Sequence, residues 1–122
     1  MNTSIKILVV DDDVNFRDVV VMWFELSDFQ KISSAENGAA AFERLLAEGD
    51  YDLVVTDLHM PQMDGLELTR RIRSLEAIKP PKVILTSGQS CENEARAVGA
   101  NAFLQKPYAL ASLDAAVATL FP

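Results

Sequence analysis

Residues 51–65 read YDLVVTDLHMPQMDG: an apolar run, 53–56, that shows no apolar/polar alternation, delivers an acid, Asp57, and breaks at Pro61 and Gly65. A strand with one wet face alternates; a run that does not alternate belongs where both faces are covered, as in a parallel sheet packed between helices. Comparable runs lie at 5–10 (IKILVV), 82–86 (KVILT) and, shorter, at 102–104, with a weaker, more polar one at 30–35 (QKISSA). The stretches between them carry helical spacing. Phe16, Val19, Val20, Trp23 and Phe24 fall on the first, whose aromatic residues read as core; Phe42, Leu45 and Leu46 follow Gly38 on the second. Leu68, Ile72 and Leu75 define the third, and Leu110, Leu113, Val117 and Leu120 form the cleanest stripe, on the last. Residues 90–98 are alanine-rich with few large apolar side chains, the weakest helix of the set.

Five strands alternating with five helices predict a doubly wound α/β fold, flavodoxin-like, with helices on both faces and right-handed crossovers. Gly49, Asp50, Pro61, Pro80, Pro81, Gly99 and Pro107 fall between the elements, where turn formers belong. At 122 residues the chain is expected to be one domain over 1–122, large enough to bury a core without staples. Cys91 is the only cysteine, so a disulfide within the chain is excluded and a reducing, cytoplasmic setting is the expectation. Cys91 itself reads as a small residue near a helix start. No apolar run approaches the length of a membrane span, and the N-terminal MNTSIK lacks the pattern of a secretory signal. The net charge of −7 argues against direct nucleic-acid binding by this chain; Arg70, Arg71 and Arg73 read as the solvated face of a helix.

In a sheet of this kind ligands bind beyond the strand C-termini, at the topological switch point. The first strand runs into Asp11, Asp12 and Asp13, the third into Asp57, the fourth into Thr86, Ser87 and Gly88, and the fifth into Gln105, Lys106 and Pro107. Carboxylates sharing one crevice repel unless a cation joins them. An oxygen-rich set without a His or Cys cluster selects a hard ion, Mg²⁺. A hydroxyl and an amine beside that ion suit the remaining oxygens of a phosphoryl group. The nucleotide-binding pattern GxxxxGK[ST] is absent, so the expected chemistry is phosphoryl transfer to an aspartate acting as nucleophile. Asp13 reads instead as the cap of the first helix, and Asp64 as the cap of the third beside a tight turn at Gly65.

The motifs LVVDDD, LVVTDLHMPQMDGLEL, VILTSG and LQKP, in this order over essentially the whole chain, resemble the receiver domain of two-component response regulators, the CheY-like superfamily. The resemblance implies strand order 2-1-3-4-5, with Asp57 accepting a phosphoryl group from a histidine kinase or phosphotransfer protein. It implies Mg²⁺ held by Asp11, Asp12, Asp57 and the backbone carbonyl of His59. Ser87 and Lys106 would each bond a phosphoryl oxygen, with a cis Lys106–Pro107 bond aiming the amine. Ser87 and Phe103 would then shift, altering the surface of the fourth helix, fifth strand and fifth helix toward an output domain or partner protein. Phe103 departs from the tyrosine often found there, and His59 and Gln89 border the site as candidates for tuning phosphoryl lifetime. Two other readings are a phosphohydrolase of the haloacid dehalogenase type and a receiver-like module that binds partners without phosphorylation. The first needs DxDx[TV], whereas Asn15 stands at the last position of that pattern; the full acid, hydroxyl and lysine set argues against the second.

Overall fold

The computed structural model describes residues 3–76 and 79–122. Five strands, β1 (Lys6–Val10), β2 (Lys31–Ala35), β3 (Leu53–Asp57), β4 (Lys82–Ser87) and β5 (Ala102–Gln105), alternate with α1 (Val14–Leu26), α2 (Gly38–Glu48), α3 (Gly65–Ser74), α4 (Glu92–Ala97) and α5 (Leu110–Leu120). All pairings are parallel, in the order β2-β1-β3-β4-β5. The runs without alternation occupy the centre: β1, β3 and β4 are buried along most of their length. The more polar QKISSA and the short β5 are the edges, where one flank needs no apolar cover.

Successive strand residues face opposite sides of the sheet, and the register keeps the two sets apart. Leu8, Val10, Val54, Val83 and Leu85 meet Ala41 and Leu45 of α2, Leu68 and Ile72 of α3 and Ala95 of α4. Ile7, Val9, Leu53, Val55 and Ile84 meet Val20 and Phe24 of α1 and Leu113 and Val117 of α5. The Nε1–H of Trp23 donates to Asp114 Oδ1 at 2.9 Å, tying α1 to α5. Among the described residues no helix is long and apolar enough to cross a membrane.

The helix starts follow local chemistry. Asp13 Oδ1 accepts from the N–H groups of Asn15 and Phe16, Asn37 caps α2 through Ala40 N–H, and Asp64 caps α3 through Glu67 N–H. Gly49 closes α2 in the left-handed region at φ 74°. The weakly patterned 90–98 stretch forms the shortest helix, α4, whose cap position, Cys91, makes no side-chain capping bond.

Four expectations are corrected. Val19 and Leu46 are 45% and 51% exposed, because each lies on the flank of its helix stripe rather than at its centre. Leu75 is extended backbone just past α3. Arg73 does not share the solvated face of Arg70 and Arg71, which pair with Glu67. It is half-buried and clamps Gly99 O, Pro81 O and Asn101 Oδ1, joining the loops that flank β4 and β5. Gly65 is also not the turn: the left-handed residue of that loop is Gln62, at φ 69°.

Candidate functional site

The strand order brings the C-terminal exits of β1, β3, β4 and β5 to one edge. Asp11, just past β1, is 3% exposed and held from three sides. Its Oδ1 accepts from Asp13 N–H at 2.9 Å, its Oδ2 from Lys106 Nζ at 3.2 Å, and its carbonyl from Arg17 Nη1 at 2.7 Å. Asp57 is the last residue of β3, so a rigid strand fixes its carboxylate, which stands 3.4 Å from Lys106 Nζ. Lys106 is placed by its own N–H, which donates to Ser87 O at 2.7 Å, and by a cis bond to Pro107, as the resemblance implies. One lysine thus bridges two acids.

Asp12 is exposed, and carboxylate oxygens of Asp11, Asp12 and Asp57 lie within 4.8 Å of one another. Asp13 is spent on the cap of α1. Ser87 ends β4 fully buried, its Oγ accepting from Gln89 N–H at 3.0 Å with Cys91 Sγ at 3.9 Å. Phe103 lies within β5, partly buried against the core face that includes Cys91 and Val98. The side chains of His59 and Gln89 are exposed.

Burial pushes the Asp57 carboxyl above its ordinary value; the charge of Lys106 pulls it down and that of Asp11 pushes it further up. A carboxyl raised in the folded state holds its proton more tightly there than in the unfolded chain. Its ionisation therefore carries no penalty below the ordinary aspartate range. The penalty grows as pH rises toward the raised value and is complete above it. Asp57→Asn is accordingly expected to melt a few degrees above the wild type at neutral pH without divalent metal, with the gap closing on acidification. Thermal scans across pH check this; a gap that widened toward low pH would contradict it.

The three oxygen-donor acids, without imidazole or thiol in the cluster, match what a hard divalent cation requires, and Mg²⁺ fits. Sequence reading missed four residues around them. Arg17, which holds the Asp11 carbonyl, looks like any polar helix residue. Gly38 is buried with the carbonyl of Met63 where a Cβ would sit, so α2 abuts the β3–α3 loop. Phe16, taken as plain core, places its ring 4.2 Å from Lys106 Nζ, and Tyr108 stacks edge-on against that ring. No spacing signal marks such contacts; those of Gly38 and Phe16 join residues far apart in the chain.

The sequence family described as "response regulator receiver domain" matches residues 7–118. Chemotaxis protein CheY-3 of Vibrio cholerae is 32% identical over 124 residues, spanning 99% of this chain and 95% of that protein. The structure of V. cholerae chemotaxis protein CheY4 superposes with a TM-score of 0.87 at 23% identity, over 97% of this chain and 99% of that one. A putative two-component system response regulator/GGDEF domain protein gives a TM-score of 0.87 at 25% identity, covering 98% of this chain but 49% of its own.

Proposed function

The chain belongs to the response regulator receiver domains, and we propose that residues 1–122 act as one phosphoaccepting module, with Asp57 taking a phosphoryl group from the phosphohistidine of a histidine kinase or phosphotransfer protein. The observation that carries this reading is the Lys106 ammonium set between Asp11 and Asp57 beside a converging oxygen cluster. A carboxylate oxygen of Asp57 attacks phosphorus, the P–N bond to the donor imidazole breaks, and the imidazole leaves with the bonding pair. The transition state spreads charge over the phosphoryl oxygens, so stabilisation is electrostatic. Lys106 turns from Asp11 toward one of those oxygens. Ser87, whose oxygen already accepts from Gln89 N–H, donates its own proton to another. Mg²⁺ would be held by Asp11, Asp12, Asp57 and the main-chain carbonyl of His59, and would supply further neutralising charge when bound.

As Ser87 moves, Phe103 turns inward behind it, and the α4, β5 and α5 surface changes toward an output domain or partner protein. The short, uncapped α4 suits an element that must shift. The module is regulatory and cytoplasmic, with no outside substrate turned over and no nucleic acid bound by this chain itself. Intact-mass measurement after incubation with Mg²⁺ and acetyl phosphate is expected to show one phosphoryl addition, absent from Asp57→Asn and absent without metal. An addition persisting undiminished in Asp57→Asn would overturn the assignment.

A further inference from the structure

The functional reading leaves the aromatic pair beneath Lys106 unused. Phe16 lies in the first turn of α1, directly after the acidic loop, and its ring centroid is 4.2 Å from Lys106 Nζ. Tyr108, two residues past Lys106, meets the Phe16 ring edge to face, with centroids 5.8 Å apart and planes at 88°. The Tyr108 hydroxyl is buried and, among the described residues, has no hydrogen-bond partner. Burial pushes the phenol well above its ordinary value, and the charges of Asp11 and Asp57 push it further, so it stays protonated. Tyr108 therefore contributes its ring, with its hydroxyl idle.

A lysine head on a flexible four-carbon stem is costly to hold in one geometry, and two carboxylates alone leave it free to favour either. An aromatic face attracts an ammonium at this distance and does not compete for its protons as an acceptor oxygen would. We propose that Phe16, braced by the edge of the Tyr108 ring, is a positioning residue for the active-site amine: it seats Lys106 between Asp11 and Asp57, within reach of the phosphoryl oxygen toward which the amine turns. The seat is read from this structure, whereas its kinetic consequence rests on the phosphoacceptor reading above. The bracket joins the start of α1 to the β5–α5 loop, so it draws the lysine's position from two elements.

The test separates the two layers. In nuclear magnetic resonance spectra of the metal-free protein, the Lys106 ε-methylene protons are expected to be shifted by the ring current of Phe16, and Phe16→Leu removes the shift. With Mg²⁺ and acetyl phosphate, Phe16→Leu is expected to slow modification of Asp57 about tenfold, with Phe16→Trp restoring most of the rate. In a Lys106→Ala background, Phe16→Leu is expected to add nothing, which distinguishes action through the lysine from a general loss of structure. Melting curves confirm folding, and Phe16→Met serves if the leucine variant melts early. Unshifted Lys106 protons, a wild-type rate in Phe16→Leu, or an equal slowing in the lysine-free background would each overturn the inference. A wild type that takes up no phosphoryl group at all, with the proton shift present, would instead strike the functional reading and leave the seat standing.

Discussion

Lys106→Ala is expected to slow phosphoryl uptake by Asp57 about a hundredfold, the scale on which one pre-placed charge at a developing oxyanion acts. The amine lies 3.4 Å from the Asp57 carboxylate and the Lys106 side chain is only 22% exposed, so water does not replace it cheaply. The same substitution has a second signature. In the metal-free protein Lys106 is the cation that Asp11 and Asp57 share; without it, two largely buried carboxylates face each other and the melting temperature falls. Added Mg²⁺ is expected to recover much of that loss of stability while leaving the uptake rate depressed. Rates by intact mass and melting with and without Mg²⁺ read both effects. A variant with wild-type uptake would remove Lys106 from the chemistry altogether.

Gly65→Ala carries the largest expected structural effect. A Cβ there would stand 2.5 Å from the Asp57 carbonyl oxygen, 2.7 Å from Leu85 Cδ2 and 2.9 Å from Leu58 Cα. Leu85 can turn its methyl aside, but two of these neighbours are main chain of β3 and its exit. Gly65 N–H also donates to Leu58 O at 2.8 Å, so the start of α3 is bonded to the β3 exit it would have to leave. The added carbon therefore pushes α3 off the segment that presents Asp57. We expect a loss of about 3 kcal/mol and a fall in melting temperature of about 10 °C, with slower phosphoryl uptake as Asp57 loses its fixed position. Melting within a degree or two of wild type would show that the helix can move away at little cost.

The residues that were legible in the sequence are those whose role is written locally. The run ending in Asp57 announces a doubly covered strand because alternation is missing, and Asp13 and Asp64 announce caps because they precede apolar helical spacing. The gathering of acids with Lys106 follows from parallel strands sharing one exit edge. What was not legible depends on distances between elements. Gly65 reads as a turn former until the approach of α3 to β3 is known, and Arg73 reads as solvated until the loops holding Gly99 and Pro81 close around it. Phe16 has the spacing of a core residue, and nothing in its neighbours says that a lysine from the other end of the chain will rest on its face. Val19 and Leu46 fail for a milder reason: a stripe has edges, and spacing alone does not say which flank remains in water.

The bridge from Lys106 to Asp11 spans 95 positions of the chain, with Asp57 contributed from between them. The order β2-β1-β3-β4-β5 makes this unavoidable, since the acids and the amine come from β1, β3 and the last strand. During synthesis, a nascent chain displays Asp11, Asp12 and Asp57 long before it has the lysine that joins them. On the phosphoacceptor reading proposed above, a half-made or clipped copy would therefore offer a kinase no assembled target. On that reading, competence waits for the closing of the sheet's far edge, so only finished proteins would draw phosphoryl groups.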